Sequence, residues 1–343
     1  MMRYKLFLLL TFLTNQVIIT AQHTHETIPS TARADWGEFE KGELLKTELI
    51  DYKTTPIGKK ILKKDKLRKG FEYVDSIKIN RMVYNSDGLM VTGFVVQPKE
   101  KGNYPCIIYN RGGNRDMGSL LVGTAVVYMG KIAAAGFVVI ASNYRGNSNS
   151  EGKEEFGGSD VNDVLNLIPA LSQIEGADTS KIGMFGISRG GMMSYMTTRN
   201  NPQIKAVAVV GGMSNLFTMK RNRPDMESHV YSALILNYED DSENQLENRS
   251  AVFWADELPR STKFLLLHGT HDKAVSIEEP RELHNTFLEH NINHVFIEYK
   301  RDNHGVRKNA EHASNQINTW FLKYVKDGMK FEEVETRYIV PKK

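Results

Sequence analysis

The sequence predicts an α/β protein with a mostly parallel central sheet and helices on both faces. Short apolar runs at 106–109, 137–141, 182–187, 206–210, 264–267 and 294–299 alternate with helix-length segments, the rhythm of repeated βαβ units. Hydrophobic residues make up 41% and charged residues 25% of the 343, the balance of a globular chain able to bury a large core. A hairpin is expected ahead of the parallel strands, where 73–79 and 90–96 read as strands around the turn Asn85-Ser86-Asp87-Gly88.

The flanks read differently. Arg3 and Lys5 precede an apolar block from Leu6 to Leu13, and Ala21 offers a small residue for cleavage. This is a signal-peptide pattern over 1–21, so an exported protein beginning at Gln22 is expected. No later stretch reaches the roughly 18 apolar residues of a membrane helix, so no membrane span is expected. Residues 22–70 form an N-terminal extension with seven Lys or Arg between Lys59 and Lys69, spaced for a solvated amphipathic helix. Residues 331–343 read as a C-terminal tail. The net charge of +3, from 44 basic and 41 acidic residues, lacks the clustered excess of a nucleic-acid-binding protein. Cys106 is the sole cysteine, which excludes an intrachain disulfide. It lies in an apolar run and reads as a small buried hydrophobe.

Within 71–330, the expected catalytic domain, the segment 214–260 interrupts the rhythm between two strands. A connection that long is expected to fold, and its Met and aromatic residues suggest a helical cap. Trp254, its largest apolar side chain, is the candidate for lining a substrate pocket.

The chemistry is concentrated in three places. Gly186-Ile187-Ser188-Arg189-Gly190 is a G-x-S-x-G between a strand and a helix-like run, the context of a nucleophile elbow. Serine needs a base within hydrogen-bond reach and a third group to orient that base. In the α/β-hydrolase fold these follow in the order Ser, acid, His. Asp272 follows the strand at 264–267, and His304 follows the strand at 294–299. Asp302, two residues before His304, is an alternative acid that would have to fold back. His268 and His271 with Asp272 offer a metal-like spacing, but no second ligand cluster supports a metal, and neither metal nor cofactor is expected. The oxyanion of an acyl-transfer reaction needs preorganised N–H donors. Arg189 supplies one, and the glycine-rich Asn110-Arg111-Gly112-Gly113-Asn114 supplies the other through Gly113.

From about Phe71 to Tyr324 the chain resembles the catalytic domain of the prolyl oligopeptidase family. The resemblance rests on Asn110-Arg111-Gly112-Gly113, with Arg111 where many members have His, on Asn143-Tyr144-Arg145-Gly146, on 157–164, and on the segments around Ser188, Asp272 and His304. It implies a serine peptidase acting on small peptides. Many members also carry a β-propeller of several blades of about 40 residues, and the stretch before Phe71 holds none. A carboxylesterase acting on small or sugar-linked acyl esters therefore stays open beside a peptidase. A non-catalytic binding protein on the same scaffold is the contrasting class.

Overall fold

Strand β1 (Leu44–Leu49) opens a ten-stranded sheet, followed by β2 (Ile77–Ser86), β3 (Leu89–Pro98), β4 (Tyr104–Asn110), β5 (Val138–Ser142), β6 (Ala177–Ile187), β7 (Ile204–Val210), β8 (Lys263–Gly269), β9 (His294–Tyr299) and β10 (Arg337–Val340). The computed structural model describes residues 39–332 and 336–341. The expected signal peptide 1–21 lies outside them. The spatial order is β1-β2-β3-β5-β4-β6-β7-β8-β9-β10. Strands β1, β2, β3 and β5 pair antiparallel in that sequence, and every pairing from β5 to β10 is parallel.

The parallel strands alternate not between apolar and polar residues but between two cores. Cys106 and Ile108, Val207 and Val209, and Phe264 and Leu266 face one cluster, whereas Ile107 and Tyr109, Ala206 and Ala208, and Leu265 and Leu267 face the other. Helices α1 (Arg189–Thr198) and α2 (Glu278–Glu289) cover the first face with Met192, Met193, Leu283 and Phe287. Helix α3 (Ala310–Phe321) covers the second with Ala313, Ile317, Trp320 and Phe321. Coverage of both faces is why the strands read as continuous apolar runs.

The chain reverses direction across the sheet at β4, which pairs with β5 on one side and β6 on the other. Such a switch point leaves a crevice at the carboxyl ends of the strands.

Three local expectations change. Of the strand expected over 73–79, residues 73–76 lie instead in a 3₁₀ turn, Glu72–Ser76, that leads into β2. The basic run 59–69 is no single amphipathic helix. The helix Pro56–Ile61 stops, and Leu62–Lys63 pairs with Lys66–Leu67 around Lys64 and Asp65, which hold φ 49° and 58°. Two successive left-handed residues make a hairpin turn that ends any helix. Finally, two strands of the ten-stranded sheet lie outside 71–330. Leu44–Leu49 extends the sheet antiparallel to β2, and Arg337–Val340 pairs in parallel with β9. Each sits at an edge and is half-solvated: Leu44–Leu49 is interrupted by Lys46, Thr47 and Glu48, and Arg337–Val340 is only four residues long.

The segment 214–260 is helical, as expected, with Leu216–Asn222, a π-helical turn Glu227–Tyr231, Ser242–Glu247 and shorter turns. Met219, Met226, Tyr231, Tyr238 and Leu246 pack into the core.

Strand β10 is tied down by charge. Glu298, 1% exposed on β9, accepts Arg281 Nη2 at 2.7 Å and Arg337 Nε at 2.8 Å. Burial alone would raise the Glu298 pKa, but the two guanidinium groups outweigh it and lower it. Arg337→Ala is expected to lower the unfolding free energy by about 1–3 kcal/mol, as for loss of a hydrogen bond to a charged group. Urea unfolding of both proteins measures it, and equal midpoints would show that β10 adds nothing.

Candidate active site

Five loops leave the carboxyl ends of β4, β6, β7, β8 and β9 and converge. After β6, Ser188 stands at φ 56° and ψ −123° before α1 begins at Arg189. That turn is possible only if α1 folds back tightly. A Cβ on Gly186 would lie 2.3 Å from Gly190 O, and one on Gly190 only 1.9 Å from Asn110 O. The two glycines of the motif thus let the helix sit on β6 and on the end of β4. Ser188 is half-buried, and its N–H donates to Val210 O at 3.0 Å.

After β8, the Asp272 side chain is fully buried and accepts three hydrogen bonds. Oδ1 takes the N–H groups of Ala274 (2.8 Å) and Val275 (3.0 Å), Oδ2 takes His304 Nδ1 (2.7 Å), and His268 Nε2 lies 3.1 Å from Oδ2. Burial would raise its pKa, but these donors outweigh it and hold the carboxylate ionised, well below the usual range. Because a carboxylate can only accept, Nδ1 of His304 carries the proton and Nε2 is left as a base. The His304 side chain is 31% exposed, so the base is open to solvent.

Asp302, the alternative acid, folds the other way. Its buried carboxylate accepts the N–H groups of Asn303, Lys308 and Asn309 and the Asn309 side chain. It shapes the turn that presents His304. His271 is exposed, and its N–H donates to Asp302 O. Among the described residues no cluster of three or more His, Cys, Asp or Glu could hold a metal. Cys106 is buried in β4 with its thiol pKa pushed up to about 12 by burial, then by the Asp178 charge.

Two site residues carried little signal in the sequence. His268, which in the sequence offered only a metal-like spacing with Asp272, donates Nε2–H to Val275 O at 3.0 Å and so holds its ring 3.1 Å from Asp272 Oδ2. Gly211 follows β7 at φ +57°, and a Cβ there would meet His304 Nδ1 at 2.9 Å and Cε1 at 3.0 Å. The Gly211-Gly212 pair after an apolar strand was the available signal.

The glycine-rich loop after β4 lies against the elbow. A Cβ on Gly112 would be 3.0 Å from Ser188 Cβ. Gly113 holds φ +74°, and its N–H, like that of Arg189, has no hydrogen-bond partner among the described residues. Trp254, expected in a pocket, is instead 4% exposed in the core. Its Nε1 donates to Glu247 O at 3.2 Å, and the Arg199 guanidinium lies 4.8 Å above its ring. Its size favours burial, and the ring is spent on packing the insertion to the domain.

A family model of the prolyl oligopeptidase family matches residues 125–328. The chain belongs to that family. The match includes Ser188, Asp272 and His304 and begins after the Gly112-Gly113 loop. The chain is similar to the uncharacterized peptidase YtmA of Bacillus subtilis, 30% identical over 203 residues, with 59% of this chain and 76% of that protein covered. It is 22% identical over 235 residues to the acylamino-acid-releasing enzyme of Sus scrofa, covering 64% of this chain and 31% of that one. The solved acylaminoacyl peptidase of Pyrococcus horikoshii shares the fold, with TM-score 0.65 and 21% identity over 77% of this chain and 44% of that one. The chain therefore spans less than half of either acylaminoacyl enzyme. As a member of the family it is a serine hydrolase of the peptidase type.

Gly211→Ala tests whether the ring of His304 is held by contact. The added methyl is expected to displace the imidazole and lower kcat by about 10²-fold, the scale of a misplacement of about 1 Å, with a folded protein by circular dichroism. Wild-type kcat would show that His304 does not depend on that contact.

Proposed function

We propose that the protein is an exported hydrolase that cleaves short peptides through Ser188, His304 and Asp272. The observation that carries this reading is the 2.7 Å hydrogen bond between His304 Nδ1 and Asp272 Oδ2, with Ser188 in the elbow conformation bonded to Val210, next to the Gly211 that abuts His304. His304 Nε2 takes the Ser188 proton as Oγ attacks the carbonyl carbon. The buried Asp272 carboxylate stabilises the imidazolium that forms. The N–H groups of Arg189 and Gly113 receive the oxyanion. His304 then returns its proton to the leaving amine, and water, deprotonated by the same base, releases the acyl group from Ser188.

Membership of the family and the similarity to acylamino-acid-releasing enzymes favour an amide bond. A carboxylesterase is the second reading. Among the described residues before β2 there is one strand, one short helix, a small hairpin and short 3₁₀ turns, none of which makes a sieve for peptides. The same triad serves either substrate.

Ser188→Ala is expected to abolish labelling by a fluorophosphonate and to cut hydrolysis of aminoacyl and acyl-aminoacyl amides by about 10³-fold or more. Activity within tenfold of wild type would assign the nucleophile elsewhere. Faster turnover of short-chain aryl esters than of every amide would favour the esterase. Export rests on the positive start, apolar block and Ala21. Mass spectrometry of the protein from its host is expected to find Gln22 as the first residue, and an intact N-terminus would refute export.

A further inference from the structure

Two arginines are buried beneath the proposed oxyanion hole, each 1% exposed. Arg111 is the first residue after β4, and Arg189 is the first residue of α1. Neither place favours a cation. Burial costs several kcal/mol per ion after relaxation, and the N-terminus of a helix repels positive charge. Something has to offset that cost at each arginine, and the partners are specific.

The Arg111 guanidinium is wrapped by its own loop. Nε and Nη2 donate to Asn143 O at 3.0 and 2.9 Å, Nη1 to Gly112 O at 3.2 Å and Met117 O at 3.4 Å, and Nη2 to Arg115 O at 3.3 Å. Three of these four carbonyls belong to the loop that runs past Ser188. Arg189 reaches the same loop from the other side. Its Nη1 donates to Gly113 O at 3.1 Å and pairs with Glu154, and its Nη2 pairs with Asp160. The second oxygen of Glu154 accepts the Arg115 N–H at 2.6 Å. Between them stands Tyr144, whose ring lies 5.0 Å from the Arg111 guanidinium and 5.1 Å from that of Arg189. Its hydroxyl donates to Arg111 O at 3.3 Å.

The consequence follows from peptide geometry. In a trans peptide the C=O and the next N–H point in opposite directions. Gripping Gly112 O therefore aims the Gly113 N–H away from Arg111, and gripping Gly113 O fixes the following peptide. The geometry points to Arg111 and Arg189, stacked on Tyr144 and braced by Glu154, as the positioning residues that preset the oxyanion hole. This rests on the reading of Ser188 as nucleophile and Gly113 as an oxyanion donor. Lysine could not replace Arg111, because an ammonium lacks the planar fork that spans carbonyls on several sides.

The test uses the full chain with Arg111→Lys and Glu154→Gln, each normalised by active-site titration. Arg111→Lys is expected to lower kcat per titrated site by about 10- to 100-fold, up to the loss of one oxyanion donor, with KM within about threefold. The Ki of a boronic acid, whose tetrahedral adduct places an oxygen in the hole, is expected to rise in proportion to the loss in kcat/KM, while inhibition by the cleavage product stays unchanged. Glu154→Gln keeps an acceptor for Arg115 but removes the charge partner of Arg189 Nη1, leaving Asp160 and Gly113 O, and moves the same quantities in the same direction. A merely structural role would lower the titratable fraction and leave kcat per site and the boronate Ki as in wild type. That outcome in a folded Arg111→Lys overturns the inference, and if that variant lacks a cooperative melt, Glu154→Gln decides by the same criterion. Activity retained by Ser188→Ala would instead remove the reading on which it rests.

Discussion

Ser188 is held at φ 56° and ψ −123°, a conformation costing a residue with a side chain about 1–3 kcal/mol, and the surrounding packing is what keeps it there. Its N–H donates to the end of β7, its carbonyl accepts from Gly191 and Met213, and α1 closes onto β4 through glycines with no room for a methyl group. Relaxing the serine would mean moving a helix off the sheet. The strain is thereby transferred to the core, where many apolar contacts oppose it.

The same constraint explains why the other groups arrive correctly placed. Parallel register fixes the heights of β4, β6, β7, β8 and β9 relative to one another, with Asn110 opposite Gly186, Ile187 opposite Val210 and Gly269 opposite Tyr299. Their loops therefore leave the sheet at one level. Asp272 and His304 lie 32 residues apart in sequence and meet at 2.7 Å because adjacent strands deliver them. Asp302 lies closer to His304 in sequence, yet the backbone N–H groups of its own turn saturate its carboxylate.

Charge is buried around this site on a scale that the near-neutral total conceals. Arg189 is matched by Glu154 and Asp160, Arg145 by Asp163 and Asp87, and Glu298 by two arginines. Glu279, on α2, holds the N–H groups of Ser214 and Asn215, and burial raises its pKa to about 8. Removing one partner of such a pair strands the other in a medium of low polarity, so these groups hold loops in single positions. That suits a reaction whose catalytic power depends on donors fixed before the substrate arrives.

The sequence by itself determined the parallel strands, the elbow and the chain order of Ser188, Asp272 and His304. These are local signals: strands buried on both faces must be apolar throughout, and a strained turn between strand and helix needs glycine at fixed offsets. The tertiary structure alone decided the rest. Edge strands such as 44–49 and 337–340 are half-solvated, the first interrupted by polar residues and the second only four residues long, so only their pairing reveals them. Trp254 looked suited to a pocket because size and hydrophobicity are properties of a residue, whereas which surface covers it is a property of the fold. The roles of His268, Gly211, Arg111 and Glu154 rest on contacts between loops far apart in the chain or on the way a loop closes around a side chain. Composition and spacing do not encode such distances; the sheet register and the packing of helices onto it do.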